Sequence, residues 1–348
     1  MNCIRTMNHN WIKMLFVILL VMTKQELTYA QLSPSQDKNY VITYSPRQPY
    51  STGSQLIGQS VSNVNVTVQY FDGLGRALQT VQVKGNPTAD KDMVQPVQYD
   101  AYGREAKKYL PYTSATADGS YKADAFTVQP NFYNSPPTGV VQTNFAFSQT
   151  IFEPSPLNRV VEQGAPGQAW QPVPNQSTGH TVKMEYGSNT TNEVRLWTVN
   201  SGGATGTSYY AANELYETIS KDENWTSGTE GTTEEFKDKE GRVVLKRVWE
   251  TSIKSLSTYY VYDDLGNLRY VLPPAVNENG QATINSFTDG DANFNNYIYA
   301  YRYDGRRRLI EKKIPGKGWE FMVYNKLDQV VFTQDANQRA KSPQQWLY

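Results

Sequence analysis

A short template recurs along this chain and limits its fold more than any local pattern does. It reads Tyr-Asp-x-x-Gly-Arg and is followed by an apolar, strand-like run. The clearest copies are Phe71-Asp72-Gly73-Leu74-Gly75-Arg76, Tyr99-Asp100-Ala101-Tyr102-Gly103-Arg104, Tyr262-Asp263-Asp264-Leu265-Gly266-Asn267 and Tyr303-Asp304-Gly305-Arg306-Arg307-Arg308. Weaker copies are Asp238-Lys239-Glu240-Gly241-Arg242, Tyr324-Asn325-Lys326-Leu327-Asp328-Gln329 and Ser155-Pro156-Leu157-Asn158-Arg159. Self-similarity of this kind marks a protein built by repeating one supersecondary unit.

The chemistry of the template is that of a β-hairpin. Tyr260-Val261-Tyr262 and Tyr301-Arg302-Tyr303 alternate as strands do, with both tyrosines on one face. Aspartate opens a turn by accepting hydrogen bonds from the backbone ahead of it. Glycine at the fourth turn position supplies a positive φ, and Asn158 or Asp328 is the next most tolerant residue there. Arg307 occupies that position in the Asp304 copy, where an ordinary turn geometry is not expected. Strands such as Ala77–Val83 and Val243–Trp249 then leave the turn, and a unit of about 20 to 25 residues suits two short strands and two turns.

Composition points the same way: 25 Tyr, 12 Phe and 7 Trp accompany 24 Gly and 18 Pro, so strands and turns dominate. The fold class expected is all-β, with antiparallel hairpins forming an extended or spiralling sheet behind a β-rich N-terminal domain. Residues 1–30 read as a secretory signal peptide. Arg5 and Lys13 precede the apolar run Met14–Met22, and Thr28 and Ala30 stand at the −3 and −1 positions of a cut before Gln31. The nine apolar residues fall short of the roughly 20 that span a bilayer. After cleavage no transmembrane span is expected, and the location is periplasm, cell surface or extracellular.

Of the 33 basic and 33 acidic residues, Arg5, Lys13, Lys24 and Glu26 lie in the first thirty, which leaves the mature chain a formal charge of −2. No charge block suggests nucleic acid or an anionic membrane as a partner. The one cysteine, Cys3, is in the signal peptide, so the mature chain has no disulfide and no cysteine nucleophile. Its one histidine, His180, sits in a Pro/Ser/Gly-rich loop without a nucleophile elbow and reads as an exposed loop residue. A zinc site needing two His or Cys ligands is excluded.

Other chemistry is weakly signalled. Glycosidase action needs two carboxylates, but the recurring aspartates belong to turns. Asp289–Asn295 alternates oxygen-bearing residues, yet Phe294 replaces the EF-hand glycine and Ala300 holds the twelfth position, so it reads as a polar loop. Gly202-Gly203 lacks the Lys-Ser/Thr of a phosphate loop. Trp197, Trp225, Trp249 and Trp319 could stack on sugar rings, although aromatic stacking across strands accounts for them as well. No cofactor and no enzymatic activity are expected.

Residues 31–190 read as a β-rich N-terminal domain and residues 191–348 as hairpin repeats, with an insertion from Leu272 to Asn295. Short helices are expected at 212–216, 281–287 and 335–340. Gln345-Trp346-Leu347-Tyr348 reads as the entering strand of another repeat, as in a truncated product, and a chain of this length is expected to form an open sheet body.

The repeats resemble the RHS/YD repeats of bacterial wall-associated and polymorphic-toxin proteins. The stretch from about Asn39 to Trp170 resembles the domain of unknown function that precedes such repeats in Bacteroidetes-type members. That second resemblance rests on Tyr70–Arg76, on Gly103-Arg104-Glu105 with Lys108–Tyr112, and on Glu153–Arg159. In such families the sheet spirals into a hollow shell, often around a C-terminal cargo. The resemblance implies a structural scaffold whose partners are further repeats and a cargo domain. A surface carbohydrate-binding or cell-contact module is the alternative, and a two-carboxylate glycoside hydrolase a second. Within this frame the structural turn residues are Asp72, Gly75, Arg76, Asp100, Gly103, Arg104, Asp238, Gly241, Arg242, Asp263, Gly266 and Asp304.

Overall fold

The computed structural model describes residues 32–173, 179–277 and 284–348. The expected signal peptide, residues 1–30, lies outside them. The described residues are nearly all β, with antiparallel pairing throughout. Two compact units emerge, one ending at Ser148 with Pro166–Gln168 added, the other comprising Gln149–Ala165 and Ala169–Tyr348. The sequence reading divided the chain near residue 190. The earlier division arises because the strands at 160–164 and 182–188 pair onward into the later sheet.

In the first unit β1 (Asn39–Pro46), β2 (Val64–Phe71), β3 (Ala77–Gln82) and β4 (Met93–Gln98) form an antiparallel meander. Two short strands, β5 (Lys107–Tyr109) and β6 (Tyr112–Thr113), both pair with β4. Alternation along β2 buries Val64, Val68 and Tyr70 on one face. A helix that the sequence did not announce, α1 (Ala125–Asn134), buries Ala125, Gln129 and Tyr133, residues spaced by four along one stripe. Pro130 lies inside it and removes one helical donor. Gln129 fixes the helix in place by donating to the Ala146 carbonyl at 2.9 Å, and the Tyr133 hydroxyl donates to Pro111 at 2.7 Å. The loop leading into the helix is held by buried Lys122, whose ammonium lies 3.1 Å from fully buried Asp92 and 3.0 Å from Asp118.

The second unit opens with β7 (Phe147–Phe152), β8 (Val160–Gly164) and β9 (Val182–Ser188). The chain then leaves the sheet as the hairpin β10 (Arg195–Asn200) and β11 (Gly203–Tyr209). It returns as β12 (Tyr216–Lys221), which pairs with β9. A meander follows: β13 (Thr233–Lys237), β14 (Val243–Thr251), β15 (Lys254–Tyr262) and β16 (Leu268–Leu272). The insertion contributes β17 (Ser286–Thr288), which joins β11, and a short helix α2 (Ala292–Tyr297). Then β18 (Tyr299–Tyr303), β19 (Leu309–Ile314), β20 (Gly318–Tyr324) and β21 (Val330–Gln334) complete the meander.

The core of this unit packs the small β10–β11–β17 sheet and α2 against the meander, through Trp197, Phe236, Leu245, Tyr259, Phe287 and Phe294 among others. The Lys313 ammonium is buried at the end of α2, donating to the carbonyls of Phe294, Asn295 and Ile298 at 2.7–3.1 Å, which satisfies helix-end acceptors.

Three helix expectations meet different outcomes. Residues 212–214 make a turn with Asn213 at positive φ rather than a helix. The described part of 281–287 enters β17, because the Phe287 ring packs into the core with Trp197 and Tyr270. At the third, α3 (Ala336–Arg339) forms, with Asp335 and Gln338 completing a capping box. Leu347 bridges Thr333 of β21 through two backbone hydrogen bonds of 2.8 and 2.9 Å.

Candidate functional site

Each template copy closes its hairpin by the same device. At the first, the Gly75 N–H donates to the Asp72 carbonyl at 3.1 Å, and the Asp72 N–H donates to the Arg76 carbonyl at 2.9 Å. This is a three-residue loop whose last residue is left-handed. The Asp72 carboxylate then does two jobs. Oδ1 accepts from the Leu74 and Arg76 N–H groups at 2.8 and 2.9 Å, while Oδ2 takes two guanidinium nitrogens of Arg76, each at 2.7 Å. The result is a carboxylate clamped by the backbone on one side and by a fork on the other.

The same set forms at Asp100 with Arg104 and at Asp304 with Arg308, and at Asp238 the two backbone donors and Arg242 Nε are kept while Arg242 Nη2 donates to Glu240 at 3.2 Å. At Asp263 the fork is missing, and Asn267 Nδ2 donates to Oδ2 at 3.1 Å. Asn325 keeps the two backbone bonds, to Leu327 and Gln329, without the charge. In the Ser155 copy the acceptor is Glu153, two residues earlier. Its longer side chain receives Arg159 at 2.9 and 2.7 Å across a wider loop. Glu153 stood in the sequence but outside the template window, which concealed its role.

Backbone donors from Arg76, Arg104 and Arg308 hold the carboxyls of Asp72, Asp100 and Asp304 below the usual carboxylate range. Gly75, Gly103, Gly241 and Gly266 have φ of 76–80°, as the template requires. Arg307 takes the same left-handed conformation, φ 61°, so that turn forms normally despite its side chain. A bulge follows each turn: Phe71 pairs with Ala77 but Tyr70 with Gln79, and Lys237 with Val243 but Phe236 with Leu245. The same shift recurs after the Asp263, Asp304 and Asn325 turns.

Successive turns also grip one another. The guanidinium of Arg76 lies 4.7 Å from the ring of Tyr99, that of Arg242 5.1 Å from Tyr262, and that of Arg308 4.8 Å from Tyr324. In each case the ring belongs to the tyrosine just before the next turn. The Tyr262 hydroxyl donates back to the Val243 carbonyl at 3.1 Å, and that of Tyr324 to Leu309 at 2.9 Å. The template tyrosine is therefore the receptor for the preceding arginine, a role that spacing along one strand does not reveal.

Beside two of these turns the second unit has a cavity of about 260 Å³. Trp197, Tyr210, Arg242, Tyr260, Tyr262 and Asp264 are among its walls. Burial, reinforced by Asp238, pushes the Tyr210 hydroxyl up to about 12. Trp197 is buried in the core against Tyr259 and Phe287, so of its two sequence readings aromatic stacking within the fold holds, and its faces are not free for a sugar ring. The other tryptophans are partly engaged: Trp249 donates to Glu234 at 2.7 Å, Trp225 to the Gly228 carbonyl at 3.0 Å, and Arg302 lies over Trp319.

His180 is exposed, its ring tilted against Trp170 at 5.4 Å and its Nδ1 3.0 Å from the Glu223 carbonyl. Asp289 is taken by Arg302 at 2.6 Å and Tyr270 at 3.3 Å, and Asp291 precedes α2, so the segment is a helix entrance rather than a cation loop. Among the described residues no group of three His, Cys, Asp or Glu is placed to hold a metal ion. Nor is any helix among them long and apolar enough to cross a membrane.

Residues 42–186 match one family model. It is a domain of unknown function (DUF6443). The match runs across the division between the two units. No curated protein matches the chain. Among solved structures, the crystal structure of TcdB2-TccC3 without its hypervariable C-terminal region is 14% identical, with a TM-score of 0.49 over 78% of this chain and 11% of that one. The TcdB2-TccC3-TEV crystal structure is 12% identical, with a TM-score of 0.49 over 94% of this chain and 14% of that one. The Tc holotoxin pore of Photorhabdus luminescens is 12% identical, with a TM-score of 0.25, covering 81% and 14% of the two chains. This chain thus spans only a small part of the length of those it matches.

Proposed function

We propose that this chain is a non-catalytic scaffold, part of an exported RHS-related protein whose hairpin sheet frames a cargo carried elsewhere in a longer molecule. The reading is supported chiefly by the reciprocity of the turns. Each clamped carboxylate is saturated by its own loop, and the template arginines Arg76, Arg242 and Arg308 also serve the next turn. A catalytic acid or base needs a carboxylate within reach of a substrate proton. Those of Asp72, Asp100 and Asp304 are occupied by backbone donors and a guanidinium, which hold them below the usual carboxylate range. The DUF6443 match over 42–186 and the repeated template add to this reading, and the export signal rests on residues 1–30.

Sequencing the transcript on the 3′ side of the Tyr348 codon tests the proposal. Further Tyr-Asp-x-x-Gly-Arg copies, in frame or in an adjoining gene, are expected. Their absence, together with turnover of any substrate in a broad glycoside panel by the purified protein, would overturn it.

A further inference from the structure

The cavity beside the Asp238 and Asp263 turns holds hydrogen-bonding groups that the fold leaves unused. Trp197 is only 7% exposed, yet its indole N–H has no hydrogen-bond partner among the described residues. A buried donor left unpaired is costly, and native structures rarely tolerate one. The hydroxyls of Tyr210 and Tyr260, both partly buried, likewise show no partner among the described residues, although the neighbouring Tyr262 hydroxyl donates to Val243. Asp264 is exposed on the same wall, with no partner there either.

The charged groups around the cavity are otherwise committed. Arg242 donates to Asp238 and Glu240, and Asp263 accepts from the Leu265 and Asn267 N–H groups and Asn267 Nδ2, with Arg269 3.8 Å away. Arg195 donates to the carbonyls of Gly206 and Ile284. What remains is three neutral donors, two of which can also accept, set against aromatic walls beside one free carboxylate. Among the described residues that line the cavity no cation is left uncommitted to attract an anion, and Asp264 would repel one.

We propose that this cavity binds a single neutral pyranose unit. A pyranose offers hydroxyls that both donate and accept, matching the tyrosine hydroxyls, the indole N–H and the Asp264 carboxylate. Its apolar ring face suits the walls of Tyr260 and Tyr262. The surface would then carry a weak saccharide contact superimposed on the scaffold, independent of the turns' own bonding.

The test is a titration of the purified mature chain by calorimetry and saturation-transfer NMR. The probes are methyl β-glucopyranoside, methyl β-galactopyranoside, methyl α-mannopyranoside and N-acetylglucosamine, with glucuronate as the anionic control. At least one neutral probe is expected to bind, with glucuronate weaker by roughly fivefold or more. Tyr210→Phe and Tyr260→Phe should each weaken binding by about fivefold, as the loss of one neutral hydrogen bond implies, with unchanged near-UV dichroism. Three results would overturn the proposal: no neutral probe binding at tens of millimolar, unchanged binding in a folded Tyr210→Phe/Tyr260→Phe variant, or glucuronate binding as well as the neutral sugars. None of these bears on the scaffold reading, whose failure would appear as turnover and missing downstream repeats.

Discussion

Two stretches of the second unit solve the same turn problem differently. In the pair Asp238–Arg242 and Asp263–Asn267, glycine occupies the left-handed position, and a Cβ added at Gly266 would stand 3.0 Å from the guanidinium of Arg242. In the pair Asp304–Arg308 and Asn325–Gln329 that position is held by Arg307 and Asp328. There Arg308 reaches onto the Asp328 carboxylate at 2.7 Å. The early pair makes room for the preceding arginine, while the later pair gives it a charge to hold. Glycine in this repeat thus has two separable uses, conformational freedom and space. Gly241, with nothing within 4 Å of its virtual Cβ, needs only the first.

Substitutions can break this comparison or sharpen it. The largest effect is expected for Asp238→Ala, which strips the backbone donors of Glu240 and Arg242 and takes from the Arg242 guanidinium its buried carboxylate. A loss of about 3 kcal/mol in urea unfolding is anticipated, against about 1 kcal/mol for Asn325→Ala, which removes only neutral bonds. Equal losses would mean that the charge adds nothing. Gly266→Ala should cost about 2 kcal/mol and Gly241→Ala about 1 kcal/mol, since both incur left-handed strain but only the first meets an arginine. In an Arg242→Ala background the two penalties should converge, and a persistent gap would refute the space argument. Arg307→Gly should stabilise by about 1 kcal/mol, read as a rise in Tm of a few degrees. Asp328→Ala should cost only about 0.5 kcal/mol, because its pair with Arg308 is largely exposed.

A carboxylate away from the turns supplies a contrast in titration. Burial, then the facing carboxylates of Glu193 and Glu234 and more weakly Glu185, with Arg247 opposing, push Glu217 up to about 7. Its folded value stands above its ordinary one, so the stability linked to its protonated form is complete below about 4.5 and is lost as pH rises through about 7. The clamped Asp72, Asp100 and Asp304 act oppositely: their contribution holds above the ordinary carboxylate range and is lost as pH falls through their lowered values. Glu217→Gln should flatten the decline in Tm between pH 5 and 8 while leaving the acid limb intact. An unchanged slope would show that Glu217 does not titrate there.

Much of the fold was legible because the template is local. An aspartate, a left-handed residue and an arginine within five positions dictate a hairpin without tertiary help, and seven full or partial copies are locatable from residues alone. Features that depend on distant partners were not legible. Helix α1 carries Pro130 in a segment rich in aromatic and β-branched residues, and it exists because Gln129 and Tyr133 find carbonyls at 146 and 111. The Phe287 strand was read as a helix because its core partners come from β10 and β16. The cavity combines β10, Tyr210 and two turns, and no spacing along the chain connects them.

The meander places every template turn between one set of strand ends, at 238–242, 263–267, 304–308 and 325–329, while the links at 252–253, 273–298 and 315–317 join the opposite ends. Within the first set Arg242 reaches the ring before the Asp263 turn and Arg308 the ring before the Asn325 turn, whereas Asn267 offers no such grip on the Asp304 turn. Added sequence stands on both margins: β10 and β11 leave and rejoin the sheet between β9 and β12 on the side of the template turns, and β17 and α2 between β16 and β18 on the other. The segment holding β17 and α2 adds a strand and a helix that pack into the same core as β10 and β11, and the turns beside it keep the common bulge. Such a sheet takes long excursions on either margin, because each returns to a strand that neighbours the one it left.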